Sequence, residues 1–308
     1  MSFASSKGSR GMIFLEHHHP IVLETLLEKL QKGAKSDACD ITCSDFDDVR
    51  YRILIKKKDD GIVHFQLGMP YLKELLSYGA AQTIDSMYSS YTTSSTELGY
   101  DMCFKIDVNG LKEKPEAVAK KFSEIKQNLF AAPLEKAFKA LESNNASSVK
   151  PMTVPFRTNE AISIVPSSDR VLVFFNVEFV NETDNAIAKI FLQEFSESQR
   201  KVPLAPAVTY TQDVPRDLSK VLPKKARAHS NGFIQFQMFK SHVEGARMAT
   251  AIKMFTMFRS YLHYHIKASK AHLNARMRAR VSSLLQVLKR AEPGKADPKG
   301  TKKAYRTY

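Results

Sequence analysis

Residues 246–292, ARMATAIKMFTMFRSYLHYHIKASKAHLNARMRARVSSLLQVLKRAE, run for 47 residues without a glycine or a proline. Ile252, Phe255, Phe258, Leu262, Ile266, Ser269, Leu273, Met277, Val281, Leu284 and Leu288 mark ten steps over 36 residues, the 3.6-residue period of an α-helix. At about 1.5 Å per residue such a helix spans roughly 70 Å, more than a small domain can cover. The stripe does not fade toward its far end, so Leu284, Leu285 and Leu288 are expected to lie bare on an isolated chain and to mark a docking surface.

The same helix is cationic. Of the net charge of +14 carried by 308 residues, +13 lies between Lys240 and Tyr308, with only Glu244, Glu292 and Asp297 as acids. Arg259, Lys267, Lys270, Arg276, Arg278, Arg280, Lys289 and Arg290 are read as a basic face with no acid between Glu244 and Glu292 to pair with. A solvated single helix normally interleaves charges of both signs. A near-neutral body with a basic rod therefore calls for an acidic partner: a protein polymer, nucleic acid or a membrane surface.

Outward from the helix, the chain reads as an α+β protein of two similar domains, each an antiparallel sheet with packed helices. In the first, a helix near His17–Lys32 stops at Gly33. Strands follow around Cys39–Cys43, Val49–Ile55 and Ile62–Leu67, with a hairpin signal at Asp60-Gly61. Tyr71–Tyr88 is helical with a break near Gly79, and Tyr100–Val108 is a strand. A helical run opens at Pro115, breaks at Pro133 and ends near Leu141. Residues 142–151, ESNNASSVKP, have linker composition. The second half repeats the order: a hairpin of Glu160–Val165 and Val171–Val180, a helix over Ala186–Arg200, a strand at Ala207–Thr211, a basic loop over 220–231 and a strand at Gly232–Phe239. The expected divisions are a disordered extension over 1–11, a first domain over 12–145, a second over 150–245, the long helix over 246–292 and a basic flexible tail over 293–308.

With 43% hydrophobic and 25% charged residues the chain can build a core, and no apolar run approaches membrane-spanning length. Three cysteines imply no disulfide framework. Cys39 and Cys43 read as core residues on one strand face, with no CxxC pair to hold a metal. His17-His18-His19 point in different directions at a solvated helix start, and His263 and His265 do not face one another. There is no glycine-rich phosphate loop, G-x-S-x-G elbow or H-E-x-x-H helix, and the carboxylate pairs Asp47-Asp48 and Asp59-Asp60 sit at strand ends. The expectation is a protein that is not an enzyme and uses no cofactor.

The stretch Phe258–Lys267 (FRSYLHYHIK), then Ser269-Lys270 and Ala275–Arg280 (ARMRAR), resembles the 34 kDa subunit (subunit 2) family of the actin-related protein 2/3 complex. Phe46–Tyr51 (FDDVRY) and Lys189–Phe195 (KIFLQEF) resemble it too, and the likeness runs over about residues 12–293. Phe239-Lys240-Ser241-His242 departs from the Phe-Pro-Arg-His expected of that family. The resemblance implies a cytoplasmic, cytoskeletal scaffold subunit that pairs with the complex's 20 kDa subunit 4, partly along the helix, and joins its other subunits. It also implies contact with the side of a mother actin filament during branched nucleation, with ATP left to the actin-related subunits. The apolar stripe (Ile252, Phe255, Phe258, Leu262, Ile266, Leu273, Met277, Leu284, Leu288) would then face the chain's own domain and the partner subunit, and the basic residues would face filament and partner carboxylates. The competing readings are a nucleic-acid-binding protein using the basic helix and a peripheral membrane protein; neither nucleic acid nor membrane insertion is the expectation.

Overall fold

The computed structural model describes residues 15–33, 37–56, 61–93, 97–199, 201–203, 205–219, 221 and 232–291. The expected extension over 1–11, the tail over 293–308, Asp60 of the hairpin turn and nearly all of the basic loop over 220–231 lie outside the described residues.

Two five-stranded antiparallel sheets have the same strand order. The first is β1(Cys39–Ser44)–β2(Arg50–Ile55)–β3(Ile62–Gly68)–β5(Met102–Asp107)–β4(Thr92–Thr93). The second is β6(Met152–Arg157)–β7(Glu160–Pro166)–β8(Arg170–Val177)–β10(Gly232–Phe239)–β9(Ala207–Thr211). Each is a three-strand meander whose last strand slips between the third strand and a short edge strand. Alternation sets which side chains turn inward: Tyr51, Ile53 and Ile55 of β2 are buried, and the residues between them are not.

Helices cover one face of each sheet. In the first half they are α1 (Pro20–Lys32), α2 (Leu72–Leu75), a π-helical turn over Leu76–Ala80, α3 (Ala81–Met87) and α4 (Pro115–Ser123). Gly79, at φ 119°, provides the expected break, a conformation that side-chain-bearing residues rarely adopt. In the second half they are α6 (Glu182–Gln199), the short α7 (Lys240–Val243) and α8 (Ala246–Arg290). The corner before α8 is closed by His242, whose Nδ1 accepts the Phe239 N–H at 2.9 Å.

Between the halves runs α5 (Ile125–Glu142). It packs on the π-turn, α2 and α3 on one side and on β7, β8, α7 and α8 on the other. The element order α-β-β-β-α-β-β-α thus occurs twice, with α5 opening the second occurrence. One cluster of buried side chains runs from Val22 in α1 to Ile266 in α8, so the two sheets share a continuous core. Aromatic rings carry it through α5: Tyr71 to Phe130 at 6.2 Å, Phe130 to Phe156 at 6.1 Å, and Phe138 to Phe255 at 5.9 Å.

Three local expectations change. The helical run from Pro115 breaks at Glu124 and continues through Pro133, whose missing hydrogen bond is offset by ten buried side chains along α5. Cys39 and Cys43 share a face as expected but are only half-buried, because β1 is an edge strand; Cys103 is the buried thiol. The histidines at the start of α1 are half-buried and bonded, not solvated: His19 Nδ1 accepts the Val22 N–H at 3.4 Å and caps the helix, and His17 bonds to Thr256 of α8 at 3.4 Å.

Candidate docking surface on the C-terminal helix

The first half of α8 is part of the core. Phe255 packs against Phe236 at 5.2 Å and Phe175 at 6.3 Å, Phe258 against Phe175 at 4.8 Å and Phe236 at 4.9 Å, and Leu262 and Ile266 are buried. Ile252 is partly covered by the same cluster.

Three residues expected on a free basic face are already spoken for. Arg259 is buried, and its Nε and Nη2 donate to the two Glu160 carboxylate oxygens at 2.8 and 2.7 Å while the guanidinium lies 4.9 Å from the Phe179 ring centre. Glu160 is equally buried at the start of β7. Lys267 and Lys270 both donate to Asp184 in the first turn of α6, Lys270 at 2.8 Å. Those hydrogen bonds hold the Asp184 carboxyl below the usual carboxylate range. Counting acids along the helix alone missed these partners, which other elements bring in; an acidic first turn in α6 is the sequence signal for one of them. Arg259 is therefore removed from the basic face, and Lys267 and Lys270 act as the clamp at the end of the packed segment.

Beyond Lys270 every residue to Ala291 is exposed. This free rod of 271–290 reaches roughly 30 Å at 1.5 Å per residue. Leu273, Met277, Val281, Leu284 and Leu288 stand along it between 42 and 59% exposed, joined by Leu285 and Val287. Arg276, Arg278, Arg280, Lys289 and Arg290 are exposed on the same stretch, which contains no Asp or Glu. At about 100° per residue, Arg276 and Arg278 flank Met277 on opposite sides, and Arg280 lies one turn above Arg276. The cations therefore rim the apolar stripe on both sides and do not form a separate face.

A second concavity lies on the packed segment. A cleft of about 770 Å³ opens where α1, the β1–β2 turn, α5 and α8 meet, lined among others by Asp45, Phe46, Lys126, Arg157 and His263. Its charges pair in a chain across the two halves: Lys126 with Asp45 at 2.6 Å and with Asp47 at 2.5 Å, and Arg157 with Asp47 at 2.5 Å. Burial pushes the Asp47 carboxyl up, but Lys126 and Arg157 outweigh it and hold it low. Burial lowers His17, His19 and His263. His263 lies under the exposed ring of Phe46 at 5.5 Å, and His265 stacks on Phe191 at 5.7 Å. Among the described residues no group of three or more His, Cys, Asp or Glu could hold a metal ion, and no helix is long and apolar enough to cross a membrane.

Two full-length likenesses accompany this geometry. The chain is 30% identical to actin-related protein 2/3 complex subunit 2 of Dictyostelium discoideum, over 92% of this chain and 94% of that protein. It is 31% identical to the protein of the same name in Schizosaccharomyces pombe, over 92% of this chain and 95% of that one. The model of the family described as "Arp2/3 complex, 34 kD subunit p34-Arc" matches residues 65–295, which takes in α5, the whole second sheet and the projecting rod. On that span of matched sequence, the chain belongs to the p34-Arc family.

Proposed function

We propose that this chain is a non-catalytic scaffold subunit of an actin-related protein 2/3 complex in the cytoplasmic actin cytoskeleton. In this reading it pairs with the 20 kDa subunit 4 through the apolar stripe of the rod and with other subunits elsewhere. It contacts the side of a mother actin filament during branched nucleation through the cations that rim the stripe. The observation that carries the proposal is the fully exposed, acid-free stretch 271–290 with its line of Leu273, Met277, Val281, Leu284 and Leu288. An exposed apolar line of that length marks a surface for a partner. Cations on its borders steer an acidic partner and fix register more than they set raw affinity.

Reversal of the arginine rim tests the filament role. In a complex reconstituted with Arg276→Glu, Arg278→Glu and Arg280→Glu, the isolated chain keeps its circular dichroism spectrum, because all three side chains are exposed. Co-sedimentation with actin filaments falls and its salt dependence flattens. Co-sedimentation equal to that of the parent complex at every salt concentration rejects the filament role of the rim.

A further inference from the structure

Two of the rim arginines also stand at fixed distances before a serine that docking does not need. Arg278-Ala279-Arg280-Val281-Ser282-Ser283 places arginines three and five residues before Ser283. Among the described residues Ser283 alone, of all serines and threonines, has arginine at both positions. Both arginines and both serines are exposed, and the rod offers the arginines no carboxylate. Paired arginines at fixed distances from a hydroxyl are the pattern that carboxylate-lined kinase pockets read, because each guanidinium takes a bidentate partner. We propose that Ser283 is a phosphorylation site for an arginine-directed serine/threonine kinase.

The local physics permits it. A kinase takes its substrate extended, so the helix has to open around the serine. In the core-packed segment that would break the aromatic cluster around Phe255 and Phe258. Around Ser283 no tertiary packing is lost, because every neighbour from 271 onward is exposed. Val281, Ser282 and Ser283 are also weak helix formers placed in a row, and the Ser283 hydroxyl donates at 3.0 Å to the Ala279 carbonyl, a bond that competes with the backbone ladder. The rod therefore opens at these residues at the cost of local helix energy alone.

The step is an ordinary phosphoryl transfer. The Ser283 oxygen attacks the γ-phosphorus of ATP, the bond to the departing ADP breaks, and the hydroxyl proton passes to the kinase's catalytic carboxylate. The product carries about −1.5 to −2 charges at pH 7. Ser283 lies one turn above Arg280 on the flank that also holds Arg276, and Arg290 follows two turns above. The phosphate would cancel part of the rim's positive charge beside Leu284. Resting on the docking function proposed above, the consequence is a rod that binds an acidic partner less well, and one that a kinase reaches only before the partner covers it.

The test is made on the purified full-length chain and does not depend on any partner. The chain is incubated with ATP and the catalytic domain of an arginine-directed kinase, and the phosphate is located by peptide mass mapping. We expect phosphate on Ser283, none at this segment in Ser283→Ala, and an unchanged rate in Ser282→Ala. Arg278→Ala and Arg280→Ala, with Ser283 intact, should each slow the reaction about tenfold, the worth of one charge-assisted hydrogen bond. Three results overturn the proposal: Ser283 left unmodified in the full chain while a peptide of residues 276–290 is phosphorylated; neither chain nor peptide phosphorylated; or both arginine variants modified at the parent rate.

Discussion

Arg259 takes a permanent positive charge to a site only 6% exposed, and Glu160, at 4%, is there to receive it. A buried pair of this kind adds little net stability over apolar residues of the same size, but half of it is very costly. Glu160→Ala should therefore destabilise the chain by about 3–5 kcal/mol, and the double variant Glu160→Met/Arg259→Met should recover most of that loss. Urea unfolding of the two variants beside the parent chain measures both. A double variant as unstable as the single one would put the cost on the other bond Glu160 accepts, from the Glu178 N–H at 2.8 Å. Arg259 also illustrates the limit of reading one helix by itself. Its position in the basic series was plain, whereas its neutralising acid lies 99 residues away on β7.

At the scale of elements, α8 is two objects joined at the Lys267–Asp184–Lys270 clamp. Phe255 belongs to the packed one, and Phe255→Ala should cost about 3–5 kcal/mol in the isolated chain. Leu284 belongs to the free one, and Leu284→Asp should leave the isolated chain within about 0.5 kcal/mol of the parent. If the rod seats subunit 4 as proposed above, co-expression should reverse the ranking: the parent chain should co-purify with subunit 4 and Leu284→Asp should not. Equal recovery of both would move the partner off the rod. Regular periodicity made most elements legible. β9 and β10 fall at the residues expected from alternation, and the 3.6-residue stripe locates α8 to within two residues of its observed end. The misses have physical reasons. β4 has only two residues and is held by its pairing with β5, and β6 contains Pro155, which marks an edge strand but weakens its pattern. Pro133 was expected to break the helical run on its way to Leu141, and tertiary burial keeps that helix intact. The apolar periodicity was legible in the sequence; its division into a core-packed part (Ile252 to Ile266) and an exposed part (Leu273 to Leu288), and that of the basic residues between clamp and rim, was not, because both depend on where α6 and the second sheet lie.

For the whole molecule, the seam between the halves gives acidity a direction. Asp47, His17, His19 and His263 line or border it, and all four are held below their ordinary values. When a group's folded value is depressed, the unfolded chain binds more protons as pH falls, so stability is complete above the unfolded value and is lost on acidification. The histidines set a first decline as pH drops through about 6.5, and Asp47, with Asp184 at the clamp, sets a second below about 4. The urea midpoint should be level between pH 8 and 7, fall toward pH 5 and fall again below 4. Asp47→Asn should be weaker at neutral pH and insensitive to its share of the last step. A midpoint unchanged from pH 7 to pH 5 would remove the histidines from the account.

The bare rod also has a meaning for the chain before assembly. An orphan copy offers proteases an unsupported helical stalk that opens readily at Val281-Ser282-Ser283, and offers chaperones a row of leucines to hold. Limited proteolysis of the isolated chain should therefore cut first within 271–290, ahead of the packed segment.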